Sequence, residues 1–191
     1  MLSVKEIAEE VEELDSDDAV DLIAELPEAR QAAVIAQIED DGRAQDIQEL
    51  LAYDEDSAGG LMAKELVKVN ENWTVTKCVR EMRTQASEVK RVHSIYVVDD
   101  ENKLIGRLSL KDLLTANDKA KVKSVYIPKV DYVSISEQGE EVAKLMAKYD
   151  LEAVPVVDDE KKLLGRITID DIVVFIKEEA DKDYQLLLYC S

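Results

Sequence analysis

The sequence has little of the chemistry that enzymes and metal–thiolate sites use. Its 191 residues include one histidine, His93, and two cysteines, Cys78 and Cys190. Two isolated cysteines form neither a disulfide framework nor a zinc-binding spacing, so a reducing cytosol fits best. A lone histidine is more often structural than catalytic. The sequence offers no combination of a nucleophile, a general base and a group to orient the base, so it predicts that the chain is not an enzyme.

Long apolar runs and phosphate-binding loops are also lacking. The longest apolar runs, such as residues 173–176, are a few residues long. A membrane span needs about 20 apolar residues, so we expect none here. The first fifteen residues carry Glu and Asp rather than an apolar run, so no signal peptide is predicted. Gly59-Gly60 follows acidic residues and lacks the Lys-Ser/Thr of a P-loop.

Basic residues are scarce, and the acidic excess is unevenly distributed. The chain has 24 Lys and Arg against 43 Asp and Glu, a net charge of −19. Such a surface repels nucleic-acid phosphates and favours cations, basic partners or simple solubility. Residues 1–60 contain 19 acidic and 3 basic residues, whereas residues 61–191 contain 24 and 21. This difference predicts a boundary near residue 60.

The acidic N-terminal part has the apolar periodicity of four short helices. Pro27 is expected to end the second helix, and Gly42 to separate the third from the fourth. Because this part has few apolar side chains to bury, we expect a domain that depends on packing against a neighbour for its stability. The four stripes are Val4, Ile7, Val11 and Leu14; Ala19, Leu22, Ile23 and Leu26; Ala33, Val34 and Ile38; and Ile47, Leu50 and Leu51.

The rest of the chain contains an internal repeat, which indicates an α+β fold. Residues 92–114 read VHSIYVVDDENKLIGRLSLKDLL, and residues 151–173 read LEAVPVVDDEKKLLGRITIDDIV, at a constant offset of 59. Each copy predicts a strand, an acidic turn, a second strand with a Gly-Arg pair, and a helix. A further helix is expected before each copy, carrying Cys78 in the first and Met146 in the second. Two such units share a core that one alone lacks.

This repeat resembles the CBS domain, a regulatory module named after cystathionine β-synthase. The resemblance rests on the apolar strand ending in VVDD, the strand LIGR or LLGR, and the [Ser/Thr]-x-x-Asp helix entry. It covers residues 63–180. The fold it implies is a tandem CBS-domain pair, packed side by side as a disc and preceded by a small all-α acidic domain.

A second resemblance points to MgtE-type magnesium transporters. Residues 53–62 read YDEDSAGGLM, which is similar to the junction between that family's helical N-terminal domain and its first CBS domain. The segment from Asp170 to Leu188 is similar to the helix that leads toward the family's pore. The helical domain is about half the family's usual length. The sequence contains no pore segment, which fits either an excised soluble fragment or a gene product without a pore. The implied domains are 1–52, acidic helical; 53–62, junction; 63–122, first CBS; 123–180, second CBS; and 181–191, connecting helix.

Two residues, Asp112 and Asp171, stand at helix entries in the two repeats. In SLKD and TIDD, Ser109 and Thr168 are expected to cap the helices, and each Asp to bond back to the cap amide. The resemblance gives them a second role. In nucleotide-binding CBS domains the Asp contacts ribose hydroxyls, and in the second repeat of MgtE-like proteins it lies near a magnesium site.

Further acidic residues are either solvated surface groups or magnesium ligands. Glu179 and Asp183 are four residues apart on one helix face, where they repel each other unless a cation intervenes. Magnesium suits scattered carboxylates because it takes oxygen ligands and keeps several waters. Two departures from the family, Gln138 and Lys182, reduce the expected ion complement. The metal ligands that the resemblance implies are Glu140, Asp150, Asp171, Glu179 and Asp183, and Asp18 is added to them as a predicted ligand.

Asp18 is chosen from the acidic start of the second helix. Asp17, Asp18 and Asp21 crowd this helix end, where carboxylates cap the helix and interact favourably with its dipole. The functional alternative is that they face the acidic second CBS domain and share Mg²⁺ with it.

The function implied is magnesium-dependent regulation of a pore by a cytosolic domain that compacts when the ion binds. The implied partners are a second copy, through the CBS domains, and the pore domain of the same transporter. The implied location is the cytoplasmic face of the inner cell membrane. One alternative is an adenine-nucleotide module that binds ATP near Asp112, Leu151 and Val154. Another is a structural interaction domain without a small ligand.

Overall fold

A computed structural model describes residues 2–189, with side chains up to residue 186. Cys190 and the end of the expected 181–191 segment lie outside the described residues. The N-terminal helices are α1 (Val4–Glu13), α2 (Ser16–Ala24), α3 (Glu28–Ile35), α4 (Asp41–Leu51) and the short α5 (Ala58–Leu61). The first repeat contains β1 (Val67–Asn70), α6 (Val75–Glu88), β2 (Ile95–Val98), β3 (Leu104–Leu108) and α7 (Leu110–Thr115). The second contains β4 (Val133–Ser134), α8 (Gly139–Tyr149), β5 (Ala153–Val157), β6 (Leu163–Thr168) and α9 (Ile169–Tyr189).

The four predicted N-terminal helices are present, and side-chain caps set the starts of two of them, α1 and α4. Ser3 and Glu6 form a reciprocal capping box at α1, with bonds of 2.7 and 3.2 Å. The expectation for Gly42 is wrong, because this residue lies in the first turn of α4, after the N-cap residue Asp40. The Asp40 carboxylate accepts a hydrogen bond from the Arg43 amide. This cap stabilises the helix by more than one glycine destabilises it.

Each repeat folds as strand, helix, strand, strand, helix. The order predicted from the internal repeat is therefore wrong in one respect, because a short strand precedes the first helix. β1 pairs in parallel with β2, and β4 pairs in parallel with β5. Both hairpins, β2–β3 and β5–β6, are antiparallel, as expected. The constant offset of 59 holds only from residue 92 onward, so comparing the repeats does not reveal β1 and β4.

The two sheets meet through equivalent residues. Val98 and Leu104 of the first repeat pack with Val157 and Leu163 of the second in one apolar cluster. The two acidic turns also exchange backbone bonds, since the Leu104 amide donates to the Lys161 carbonyl at 2.9 Å and the Leu163 amide to Asn102 at 3.0 Å. The repeats thus form one body. No helix in residues 2–189 is both long and apolar enough to cross a membrane.

The junction is a tight turn between α4 and β1. Ser57 caps α5 by accepting the Gly60 amide at 3.3 Å, and its hydroxyl donates to the Asp54 carbonyl at 2.7 Å. A Cβ at Gly60 would overlap that carbonyl oxygen. A Cβ at Gly59 would lie 2.8 Å from the Tyr53 ring. The two glycines therefore let the chain turn closely enough to pack the helical domain on the second repeat.

We expect Gly60→Ala to lower the free energy of unfolding by roughly 1–3 kcal/mol, because the backbone must move to admit the methyl group. The matched control is Gly42→Ala, whose Cβ would meet only the Asp40 carboxylate at 3.2 Å. This control is expected to gain up to about 1 kcal/mol from helix propensity. Thermal or urea unfolding of both variants checks the pair, and equal stabilities would contradict the close approach at Gly60.

Candidate metal-binding cleft and nucleotide cavity

Acidic side chains from three elements converge on a cleft of about 390 Å³ between the helical domain and the second repeat. Its walls are α2, the junction and α9. Lys182 is the only basic residue lining the cleft within the described part of the chain. The acidic residues that line it are Asp17, Asp18, Asp21, Glu25, Glu55, Asp56, Asp171 and Glu178.

Asp171 is fixed at the base of α9 by the predicted capping box. The amide and hydroxyl of Thr168 donate to Asp171 Oδ2 at 2.8 and 2.7 Å, and the Asp171 amide donates to Thr168 Oγ1 at 3.4 Å. In the first repeat the Asp112 amide reaches Ser109 Oγ only at 3.5 Å. The Arg166 guanidinium lies 3.9 Å from Asp171 Oδ2 and 3.7 Å from Asp15 Oδ2.

Asp17 and Asp21 of α2 form no ion pair within 4.0 Å among the described residues. Burial, with the nearby charges of Asp171 and Asp18, raises the pKa of Asp17 to about 7. Burial, with the charges of Glu178 and Asp18, raises the pKa of Asp21 to about 6. Asp17 Oδ1 is also buried without a hydrogen-bond partner among the described residues. An uncompensated carboxylate in such surroundings is stabilised either by a proton or by a cation.

Three carboxylates of α2 and its N-terminus lie close enough for one ion. An oxygen from each of Asp15, Asp17 and Asp18 lies within 4.8 Å of the other two. After burial, the charge of Asp171 contributes most to the raised pKa of Asp17. Burial also raises the pKa of Asp18, where the charge of Lys90 opposes the shift and those of Asp15 and Asp171 add to it, so Asp171 acts on this group from the second repeat. Asp17 and Asp18 line the cleft, whereas Asp15 lies 3.9 Å from Lys90 Nζ and 3.7 Å from the Arg166 guanidinium. Carboxylate oxygens at this density suit a hydrated Mg²⁺.

Only part of the sequence-predicted metal set meets at the cleft. Asp18 and Asp171 both line it. Glu179 lies beside it and accepts a bond from Lys182 at 2.8 Å, and Asp183 is exposed one residue beyond Lys182.

Glu140 and Asp150 stand at opposite ends of α8. Glu140 is exposed in the first turn, and Asp150 is the exposed C-cap in a left-handed conformation with φ 51°. Ten residues of helix separate them by about 15 Å, so one ion cannot bind both carboxylates.

The sequence patterns did not identify Asp15 of the carboxylate group or four acidic residues of the cleft, Glu25, Glu55, Asp56 and Glu178. Helical spacing carries a signal for one of them, because Asp171, Val174, Glu178 and Lys182 follow one another at intervals of three and four on α9. Glu55 and Asp56 lie within the quoted junction motif. Their position beside α9 depends on the fold of the junction, which composition and periodicity do not reveal.

Lys182 supplies an internal cation to the edge of this cleft. Its Nζ lies 2.8 Å from Glu179 Oε1 and 3.7 Å from Asp56 Oδ1, so it connects α9 to the junction. The predicted repulsion between Glu179 and Asp183 is thus partly relieved by a lysine. Its charge should oppose the binding of further cations nearby.

Lys182→Gln is therefore expected to tighten Mg²⁺ binding roughly two- to tenfold at low ionic strength. Calorimetric titration measures the affinity. Lys177→Gln is the matched control, since it removes the same charge from the same helix at an exposed position that does not line the cleft. Equal affinities for the two variants would mean that the Lys182 charge does not act on the cleft.

A second cavity, of about 550 Å³, lies between the two repeats. Two basic residues, Arg107 and Lys129, and two acidic residues, Asp131 and Glu152, line it. His93 Nδ1 and the Tyr96 hydroxyl are buried there without hydrogen-bond partners among the described residues. Burial, with the charges of Arg166 and Arg91, lowers the pKa of His93. These groups offer charge and hydrogen bonds to an anionic ligand.

The predicted nucleotide residues relate to this cavity unequally. Leu151 lines it, whereas Val154 is fully buried in the sheet behind it. Asp112 does not line it and lies in the first turn of α7. Arg107 was visible in the sequence as the Arg of the repeated Gly-Arg pair, but only the fold shows that it faces a cavity.

Comparisons with known proteins agree with this architecture. The model of the MgtE intracellular N domain matches residues 1–56, and that of the CBS domain matches residues 58–119 and 122–178. The magnesium transporter MgtE of Thermus thermophilus is 42% identical over 142 residues, and that of Enterococcus faecalis is 37% identical over 139. These matches cover 74% and 73% of this chain. The chain spans only 32% and 31% of the length of these curated relatives.

Solved structures give the same result. The soluble part of a magnesium transporter is 34% identical, with a TM-score of 0.85, and the match covers 94% of this chain and 70% of that one. The cytosolic domain of the Mg²⁺ channel MgtE in complex with ATP is 37% identical, with a TM-score of 0.78, covering 91% and 76%.

A helical domain, a short junction and two repeats sharing one body define a tandem CBS-domain protein with an acidic cleft at its domain boundary. The predicted α+β fold is confirmed. The chain belongs to the MgtE family of magnesium transporters, and it corresponds to their intracellular N domain and pair of CBS domains.

Proposed function

We propose that this chain is the magnesium-sensing regulatory region of a magnesium transporter and that it binds Mg²⁺ in the acidic cleft. The convergence of carboxylates from α2, the junction and α9 on one cleft carries the proposal. Mg²⁺ is a hard cation that binds through a few carboxylates and retains water, which suits this arrangement. In this function the chain lies at the cytoplasmic face of the inner cell membrane and acts on the pore domain of the same transporter.

The mechanism is a shift between two populations. Without metal, α2 and α9 carry unshielded like charges across the cleft, and their repulsion favours an open cleft. Bound Mg²⁺ links the two walls and favours the closed cleft, because only that state supplies ligands from both sides. α9 is the element that transmits the change, since Asp171 and Glu178 of the cleft are part of this 21-residue helix.

Thermal unfolding with Mg²⁺, against NaCl at matched ionic strength, tests the proposal. A single site adds only about 0.4 kcal/mol when the free ion concentration equals its dissociation constant, and several sites add more. We expect Mg²⁺ to raise the melting temperature progressively at millimolar concentration. Because NaCl also screens the repulsion, equal shifts in the two salts would contradict specific binding.

ATP is a second candidate ligand, in the cavity between the repeats. Arg107, Lys129 and the unpartnered polar atoms of His93 and Tyr96 support it, as does the ATP complex of a relative. Calorimetry with ATP, with and without Mg²⁺, tests it. Arg107→Ala should weaken binding, and Lys111→Ala, at an exposed position of α7, should not. If ATP gives no heat of binding either with or without Mg²⁺, this candidate ligand is excluded.

A homodimer through the CBS domains completes the proposal. Leu110 and Leu114 of α7 are 57% and 74% exposed, and their counterparts in the repeat, Ile169 and Val173 of α9, are 37% and 42% exposed. Each repeat therefore presents the same apolar pair to solvent. Repeated exposed apolar patches are typical of protein–protein interfaces.

The double substitution Leu114→Asp and Val173→Asp is expected to convert the dimer to a monomer, because it introduces charges into an apolar interface. Light scattering at micromolar protein concentration measures the mass. Val92→Asp is the control, as this residue is 43% exposed and lies outside the α7–α9 surface. A wild-type protein that is monomeric throughout would contradict the proposed assembly.

A further inference from the structure

The first repeat has the opposite charge to the chain as a whole. Residues 63–130 contain 14 Lys and Arg and 9 Asp and Glu, a net charge of +5, in a chain whose net charge is −19. Three of these basic residues, Lys77, Arg80 and Arg83, follow one another at intervals of three on the exposed side of α6. The buried Cys78 marks the opposite side of the helix. α6 therefore turns a basic face to solvent.

The segment after α7 extends this basic face. Residues 117–124 run beside the start of α6, where the Thr76 amide and hydroxyl donate to the Asp118 carbonyl at 3.3 and 3.1 Å. This segment adds three exposed lysines to the three basic residues of α6. Together they form the basic surface, which consists of Lys77, Arg80, Arg83, Lys119, Lys121 and Lys123.

Most charges of the basic surface are not neutralised by the chain itself. Among the described residues, Arg80 is the only one of the six with an acidic group within 4.0 Å, its neighbour Glu81 at 3.1 Å. Residues 74–84 and 117–124 together contain these six basic residues and two acidic ones, Glu81 and Asp118. The basic surface therefore has a positive potential that attracts anionic partners.

The start of α6 does not itself form a pocket for a small anion. The amides of Val75 and Thr76 donate to carbonyls of the 117–124 segment at 2.8 and 3.3 Å. The Lys77 amide donates to the hydroxyl of the N-cap residue Thr74 at 3.2 Å. Because these first amides of the helix are already bonded, the anion must be held by the side chains. A broad set of long basic side chains suits an extended array of negative charges.

The only tryptophan of the chain lies within the basic surface. Trp73 precedes the N-cap residue of α6, and its carbonyl accepts the Val122 amide at 2.9 Å. Lys77 Nζ lies 4.8 Å from the centroid of its ring. The ring is half-buried against the core of the first repeat. Tryptophan next to basic residues is typical of surfaces that lie at the level of lipid headgroups, because the indole ring is amphipathic and the basic groups meet anionic headgroups.

The basic surface is separated from the acidic helical domain by the length of α6. Lys90, just beyond the C-terminal end of α6, lies 3.9 Å from Asp15 of the helical domain, whereas Lys77 lies in the first turn. The helix has 14 residues and spans about 20 Å. This length exceeds two Debye lengths at physiological ionic strength, about 8 Å each. Salt therefore screens most of the repulsion between the helical domain and an anionic partner at the basic surface.

We propose that the basic surface, together with Trp73, binds anionic phospholipid headgroups of the cytoplasmic leaflet. This inference rests on the proposed function, in that the regulatory region of a transporter lies next to that leaflet. The contact holds the first repeat against the membrane, while α9 of the second repeat transmits the response to Mg²⁺.

The fluorescence of Trp73 reports this binding, because the chain has no other tryptophan. The whole chain in EDTA is mixed with vesicles of phosphatidylcholine, or of phosphatidylcholine and phosphatidylglycerol in equal amounts. At low ionic strength, we expect a blue-shifted emission and quenching by spin-labelled headgroups only with phosphatidylglycerol. NaCl at about 1 M should reverse both effects, because the Debye length is then about 3 Å. Inorganic phosphate at the same concentration as the headgroups should leave the emission unchanged.

Two triple variants test whether the basic surface is responsible, and sedimentation with vesicles measures their binding. The first removes charge from the surface and should weaken binding to phosphatidylglycerol vesicles roughly 10- to 100-fold. The control removes three exposed lysines elsewhere and should change binding by less than about threefold. Thermal unfolding should show that both are folded, since all six positions are exposed. The variants are Lys119→Gln, Lys121→Gln and Lys123→Gln, and, as the control, Lys5→Gln, Lys148→Gln and Lys177→Gln.

Three results would overturn the inference. The first is a wild-type chain that sediments equally with both kinds of vesicle. The second is an equal loss of binding in the two triple variants, since any three positive charges would then suffice. The third is a salt-dependent change in Trp73 emission that needs no vesicles, which would assign the surface to the acidic helical domain of a second copy.

The proposed function fails by a different result. The vesicle measurements are made in EDTA, so they do not depend on Mg²⁺ in the cleft. Magnesium sensing is contradicted by equal melting shifts in Mg²⁺ and NaCl, and that outcome leaves the preference for anionic vesicles unaffected.

Discussion

Without divalent cations, the protein should become less stable as the pH rises from about 5.5 to 8, by roughly 2–3 kcal/mol. The cause is the raised pKa of two cleft carboxyls, about 7 for Asp17 and about 6 for Asp21. In the unfolded chain both groups ionise near pH 4. The folded state therefore holds protons that the unfolded state has lost, and its advantage disappears as the pH rises through the folded pKa values. The estimate is reduced for the solvent-exposed part of Asp21.

The measurement is the melting temperature in EDTA across this pH range, repeated with Mg²⁺. For a chain of this size we expect a fall of roughly 5–10 °C in EDTA. Mg²⁺ should reverse most of it at pH 8 and little of it at pH 5.5, because protons occupy the carboxylates at low pH.

One group works in the opposite direction and requires a control. Burial lowers the pKa of His93, so that residue favours the folded state more as the pH rises toward 6.5. The same titration of His93→Gln removes this contribution, and the fall should then be larger. A flat profile in that variant would contradict the uncompensated charge in the cleft.

Asp17→Asn is expected to stabilise the metal-free protein by about 2 kcal/mol at pH 8, because it removes a buried charge without a partner. The same change removes a ligand, so the stabilisation by Mg²⁺ should become smaller. Opposite effects on the two quantities are a signature that a merely structural aspartate would not give. Thermal unfolding in EDTA and in Mg²⁺ measures both.

Two other variants calibrate this result. Glu140→Gln removes an exposed carboxylate from α8, outside the cleft, and should change either quantity by less than about 0.5 kcal/mol. Glu179→Gln removes a group that is paired with Lys182 beside the cleft, and its effect on the Mg²⁺ response should lie between the other two. A Mg²⁺ titration of Asp17→Asn that overlays the wild-type titration would mean that Asp17 is not a ligand.

The repeats show why most of the fold could be predicted. The apolar run that ends in Val97-Val98 reflects a strand buried at every residue, and the alternation in LIGRL reflects a strand with one buried face. The apolar stripe of α1 reflects a helix packed on a core, so local pattern and tertiary structure agree. The strands β1 and β4 could not be predicted, because β1 has only four residues and β4 only two. Neither strand lies in the part of the sequence that repeats at the offset of 59 residues. The prediction for Gly42 was wrong because a single glycine lowers the stability of a capped helix too little to end it.

The site was less predictable because it forms between domains. Asp171 could be placed from its capping box, and Asp18 from the acidic start of α2. Which other carboxylates meet them depends on how the junction turns and docks the helical domain, and this depends on the close approach at Gly60. Local patterns do not encode that distance.

The most direct test is the number of protons released when Mg²⁺ binds. Calorimetry at pH 6.5, in buffers with different ionisation enthalpies, measures it. With the pKa of Asp17 at about 7 and that of Asp21 at about 6, binding at the cleft should release about one proton per chain. At pH 8.5 it should release close to none. Binding of Mg²⁺ without proton release at pH 6.5 would contradict the central claim, because the ion would then be held by carboxylates other than Asp17 and Asp21, the two whose charges the cleft leaves uncompensated.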